Sequence, residues 1–167
     1  MSPWDAALEQ IAAARRYSLD VLDTVSENNW FRMPPGDITH VGWQAGHLAV
    51  AQFNLGLVRT EGASTEDTSL LPTDFRELFG KGSMPQPGAD AYPAAAEIRR
   101  VMQSVHAAVI DHGRTLDKLA VDAPVVGAEH PQFSTKLGAL LWCGQHEMIH
   151  AGQIALLRRL LGQPPRW

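Results

Sequence analysis

Residues 134–162 read STKLGALLWCGQHEMIHAGQIALLRRLLG, and the reading of this stretch decides the fold. Ser134 or Thr135 offers a capping oxygen, no proline interrupts the run, and Gly162 with Pro164 and Pro165 ends it. Trp142, Cys143, His146, His150, Ile149, Ile154, Leu157 and Leu161 define one face at helical spacing. The pattern predicts a long amphipathic helix whose histidine-bearing face points inward.

Three further stretches carry the same period. Ser2, Pro3 and Asp5 read as a helix start, followed by Leu8, Ile11, Ala12, Leu19 and Leu22, so a first helix is expected from Pro3 to Val25. Trp43, His47, Val50, Asn54 and Val58 form one stripe of a second helix, which Gly62 would end. Pro93 opens a third, with Ile98, Met102, Val105, Val109, Leu116 and Leu119 on its apolar face and His112 in register with them.

Residues 28–40 contain Pro34, Pro35 and Gly36 and are expected as loop; residues 63–91 are irregular apart from a helical turn at 73–79. Only 123–127 resembles a strand. Four amphipathic helices without a sheet predict an all-α four-helix bundle in a single domain, 1–167. A connection as long as 63–91 is too long for a tight hairpin and can span a helix of about 30 Å. It therefore predicts a crossover that leaves the second and third helices parallel.

The 167 residues carry a net charge of −4, with 45% hydrophobic and 19% charged residues. That balance describes a folded chain and lacks the basic footprint of a nucleic-acid binder. No window approaches the roughly eighteen apolar residues of a membrane span, and the first residues show no basic and apolar leader. No membrane association and a cytoplasmic location are expected. The single cysteine, Cys143, excludes an internal disulfide and any multi-cysteine metal site.

The seven histidines carry the chemistry. His146 and His150 are one helical turn apart, on one face, and can chelate a single metal ion. Their sequence, HEMIH, has the HExxH form of zinc proteases, in which Glu147 would be the general base. The residues after His150 include no Glu, Asp or His to complete such a site, which argues against that reading. A di-iron carboxylate bundle needs a second ExxH, and the matching stretch, Gln44-Ala45-Gly46-His47, has no carboxylate.

A third ligand must then come from upstream, from His47 or His112. With parallel second and third helices, His47 and His150 lie about 10 and 16 Å from the same end of the bundle, and His112 about 30 Å from it. The crossover topology favours His47; an up-down-up-down order would favour His112. His40, His106 and His130 read as loop or surface residues. Cys143 reads as a small buried apolar group. Glu147 and Gln153 are candidates to orient a ligand or a bound water.

Gly46-His47-Leu48-Ala49 on the second helix, followed by His146-xxx-His150-Ala151-Gly152-Gln153-Ile154, resembles the DinB/YfiT-like superfamily of small helical bundles. The segment Leu78-Phe79-Gly80-Lys81-Gly82-Ser83 is similar to that family's crossover. The resemblance implies an up-down-down-up bundle and a divalent metal, zinc or nickel, held by His47, His146 and His150. It also implies transferase or hydrolase chemistry on a small molecule, with a low-molecular-weight thiol as a cofactor in some members. Three neutral imidazoles leave a metal its full charge and an open position, the pattern of catalytic sites. The substrate would enter where loop 28–40 and the crossover meet, with Trp30, Phe31, Phe75 and Phe79 lining a pocket. The competing expectation is a non-enzymatic binding or dimerisation module whose metal, if any, is structural. A homodimer would use an exposed apolar helix face, and the sequence leaves open which one.

Overall fold

Ser2 accepts from the Asp5 amide at 3.1 Å while the Asp5 carboxylate accepts from the Ser2 amide at 3.2 Å, and this reciprocal cap starts helix α1 (Pro3–Leu22). Pro3 fills the first helical position, where no N–H is needed. The protein, seen in a computed structural model, is described at residues 1–61, 63, 69–116, 119, 120, 122–128 and 130–165. Four more helices follow: α2 (Val41–Phe53), α3 (Thr73–Phe79), α4 (Ala95–Thr115) and α5 (Lys136–Leu160). Among the described residues there are no strands. The 123–127 stretch makes only an isolated bridge, Pro124 to Thr135. The architecture is all-α.

α1 stops at Leu22, short of the expected Val25. Thr135, not Ser134, caps α5, its hydroxyl accepting from the Gly138 amide at 3.0 Å. Gly62, the expected stop of the second helix, lies outside the described residues. Before it the helix changes character: a π turn, Asn54–Val58, and a last α turn, Arg59–Glu61, extend α2. A π turn carries one residue more than an α turn, which rotates every later side chain around the axis. Arg59 therefore takes the place on the His47 face that a regular helix would give to Val58. α4 also departs from expectation. Leu116 has extended backbone, so the helix ends at Thr115, and Leu119 is 91% exposed instead of continuing the apolar stripe.

α1 packs along α5, and α2 packs along both α4 and α5. On α5 the inward face is Leu140, Cys143, Glu147, Ala151 and Ile154. Ile149, expected inside, is half exposed; it lies about 200° around the helix from Glu147. His146 and His150 occupy the flank that faces α2. The contacts between α2 and α4 advance together along the chain: Gln52 with His106, Gly56 with Val109, Thr60 with His112. Those between α1 and α5 do the same, from Gln10 with Gly144 to Thr24 with Gln163. Between α2 and α5 the order reverses, Gln44 meeting His150 and His47 meeting His146.

Among the described residues, the core holds a buried ion pair. Arg15 on α1 and Glu147 on α5 are each 2% exposed and pair at 2.6 Å. The same guanidinium donates to the Gln52 side chain at 2.7 Å and to the Met102 carbonyl at 2.5 Å. Removing one partner would strand a buried charge, whereas removing both would not. Arg15→Met or Glu147→Leu alone is expected to cost about 3–5 kcal/mol in urea unfolding, and the double variant to recover most of it. Single-variant losses below about 1 kcal/mol would contradict this.

Of the histidines read as loop or surface residues, His40 lies in the loop before α2 but is buried, and His106 lies on a helix. His40 is fully buried, its Nδ1 accepting from the Trp43 amide at 3.0 Å to cap α2. His106 is half-buried on α4. Burial pushes His40 down to about 4; burial, then Arg15 and Arg16, push His106 down to about 4. An unfolded imidazole takes its proton near pH 6.5. Between those values the unfolded chain binds more protons, so stability is full above about 6.5 and declines as pH falls toward 4. Metal-free protein should show a lower urea midpoint at pH 5 than at pH 7, and His106→Gln should flatten the difference. A midpoint independent of pH in this range would refute the assignment.

Candidate metal centre

α2 contributes His47, and the reason it can do so begins one residue earlier. A Cβ at Gly46 would lie 2.4 Å from the Phe79 ring, so only glycine lets α3 come this close to α2. Phe79 is thereby seated with its carbonyl 2.7 Å from His47 Nδ1, which donates to it. Trp43 stacks on the His47 ring, with centroids 4.9 Å apart and planes 8° from parallel, and its indole N–H donates to Ser83 at 2.9 Å. His47 is thus held from the α3 loop and from its own helix. Its Nε2 is left as the lone-pair nitrogen.

His150 is oriented in the same manner from the other helix. Its Nδ1 donates to Gln44 Oε1 at 2.5 Å. Gln44 is buried, and its amide nitrogen donates to Thr39 at 3.1 Å, which turns the amide oxygen toward His150. His146, one turn earlier on α5, places its Nε2 3.2 Å from that of His150. Ligand atoms of His47, His146 and His150 all lie within 4.8 Å of one another.

These residues fit a small divalent ion. Two imidazole nitrogens on a tetrahedral zinc are about 3.3 Å apart, close to the His146–His150 separation. Hydrogen bonds from the outer ring nitrogens, to the Phe79 carbonyl and to Gln44, are the usual support of metal-binding histidines. Burial lowers the proton affinity of all three rings, reinforced at His146 by His47 and His130 and at His150 by His146 and His47. His146 is pushed to about 4 and His150 to about 3, so near neutral pH the rings are in the uncharged form that ligates metals.

The other candidates lie elsewhere. Glu147 is committed to Arg15 on the core side of α5. Gln153 is exposed, on an apolar cleft of about 390 Å³ that Trp43 and Gln44 also line, and it is Gln44 that makes the hydrogen bond to His150. Gln44, three residues before His47, shares that histidine's face, but in the sequence it stands only where an ExxH motif would have its carboxylate. His112 bonds Thr60 at 3.0 Å and faces Glu61 at 3.3 Å, apart from the triad. Cys143 is 3% exposed, and burial, then Glu147, pushes its thiol up to about 12, so it is neither ligand nor nucleophile.

A cleft of about 490 Å³ opens onto the site, with His47 and His146 in its wall. Trp142, Val50 and Leu55 give it apolar surface; Asn54, Arg59, Lys81 and His130 are its further polar lining. The aromatic residues expected to line the pocket do not. Trp30, Phe75 and Phe79 are core residues, at most 2% exposed, the two phenylalanines forming the buried face of α3. Phe31 lines a different cleft. His130, in the loop before α5, is half-buried and stacked on Phe133 at 4.4 Å.

The sequence pattern of the DinB superfamily matches residues 10–154, a span that includes all three histidines and the crossover. No curated protein matches the chain. The match covers most of the sequence, and the protein belongs to the DinB superfamily.

Proposed function

We propose that the protein is a metal-dependent enzyme that acts on a small molecule, as a transferase or hydrolase, with a zinc or nickel ion held by His47, His146 and His150. The observation that carries this reading is that three uncharged imidazoles, two of them fixed by hydrogen bonds at Nδ1, converge beside an open cleft. Three neutral ligands leave the ion its charge and room for a fourth group. The ion would supply Lewis acidity toward a water, a thiol or a carbonyl oxygen. Gln44 and the Phe79 carbonyl keep the rings aimed, and Trp142 gives the cleft an apolar side.

The resemblance to thiol-dependent members extends the reading to a low-molecular-weight thiol as co-substrate. Support comes from Cys143: the chain's only cysteine is buried and protonated, so a thiolate nucleophile has to come from outside. The reading also includes the up-down-down-up order of the four long helices. It is supported by contacts that advance together for α2 with α4 and α1 with α5, and that reverse for α2 with α5.

Untagged protein analysed for metal should contain about one zinc or nickel per chain, and His47→Ala and His146→Ala should contain none. Gln44→Leu should weaken metal binding about 10- to 100-fold while leaving the helical content intact. Wild-type protein that neither carries nor takes up zinc or nickel would overturn the proposal.

A further inference from the structure

The wall of the cleft beside the histidines is charged in one sense only. Its charged lining residues are Arg59 and Lys81, with Asn54 and the uncharged His130 ring as further polar groups, and none of its described lining residues is acidic. The chain as a whole has a net charge of −4, so this wall reverses the sign of the protein around it. Among the described residues, no carboxylate forms an ion pair with Arg59 or Lys81.

Both cations are placed by backbone. The π turn brings Arg59 to the His47 face of α2. Its guanidinium is then steadied by the Val126 carbonyl at 3.2 Å and by the Ala128 carbonyl, both bonded through one nitrogen. A guanidinium has five N–H donors, so others remain for a ligand. Lys81 follows Gly80, where a Cβ would meet the Arg76 carbonyl at 2.3 Å, and Ser83 closes the turn with a bond from its amide to the Gly80 carbonyl at 3.1 Å. The loop whose Phe79 carbonyl orients His47 therefore also presents Lys81. In the same cleft, Val50, Leu55 and Trp142 supply apolar surface, the Trp142 ring 6.4 Å from that of His130.

We propose that this wall is the anion subsite of the substrate pocket, so that the substrate is a small molecule with a carboxylate or phosphate group on an apolar body. Lys81 and Arg59 hold the anionic group, His130 adds a hydrogen bond, and the apolar body lies against Trp142, leaving the remainder directed at the three histidines. The link to catalysis rests on the metal-dependent reading above; the capture of the anion does not. Arginine suits the planar oxygens of a carboxylate or phosphate, and lysine adds a point charge.

The test is calorimetric titration of benzoate, its uncharged analogue benzamide, and inorganic phosphate into metal-free and zinc-loaded protein. Benzoate and phosphate are expected to bind both forms, more weakly as salt is raised, with benzamide about tenfold weaker than benzoate. Lys81→Gln should weaken benzoate about five- to tenfold in both forms, and Lys81→Arg should restore it. Arg59→Gln is the second variant, with thermal unfolding to show that the loop it steadies survives. Equal binding of benzoate and benzamide would overturn the proposal, as would benzoate binding that neither variant changes. Anion binding seen only with zinc and insensitive to both variants would place the anion on the metal and overturn it as well. Zinc uptake in the same samples reports on the histidines separately. Lys81-dependent benzoate binding by protein that takes up no zinc upholds the subsite and removes the metal reading.

Discussion

Four helices meet at one guanidinium. Arg15 of α1 pairs with Glu147 of α5 and also bonds Gln52 of α2 and the Met102 carbonyl of α4, all away from solvent. Apolar packing alone tolerates small rotations and slides between helices, but a buried fork of donors with fixed acceptors does not. Glu147 is the neighbour of His146, so the bond that sets the rotation of α5 against α1 also aims His146 and His150 away from the core and toward α2. Gln52, in turn, ties that junction to the helix that carries His47. The geometry of the histidine cluster therefore depends on a salt bridge that touches none of its members.

The second constraint is steric. Gly46 gives Phe79 its place, and Phe79 gives His47 its hydrogen bond. The long connection between α2 and α4 does more than span the bundle: α3 supplies a backbone carbonyl to His47 and hands on to the turn that carries Lys81. The site is thus assembled from two helices and a crossover, each fixed by a different kind of interaction. This explains how a cleft open to solvent can border histidines with strongly reduced proton affinity, since the rings themselves are packed among Trp43, Phe79 and one another.

Much of the site was legible in the sequence because helical periodicity is a local property. His146 and His150 share a face by spacing alone, and the length of the 63–91 connection brought His47 to their level without any coordinates. Glu147 misled for the same reason: it is next to His146 in sequence but about 100° away around the helix, facing another partner. Gln44, His130 and Lys81 were hidden because their roles depend on which side chain lies across an interface. Arg59 was hidden by a π turn, which no hydrophobic pattern announces.

The amino-acid sequence by itself determined the all-helical architecture, the caps, the apolar faces and the pair of histidines one turn apart, since all of these follow from interactions within a few residues of chain. Only the tertiary structure decided which carboxylate would be neutralised in the core, which amide would steer His150, where the pocket would open and what charge would line it. Those outcomes rest on contacts between residues far apart in the chain, such as Arg15 with Glu147 and Gln44 with His150. Nothing local in the sequence specifies such partners; the packing of one helix against another does.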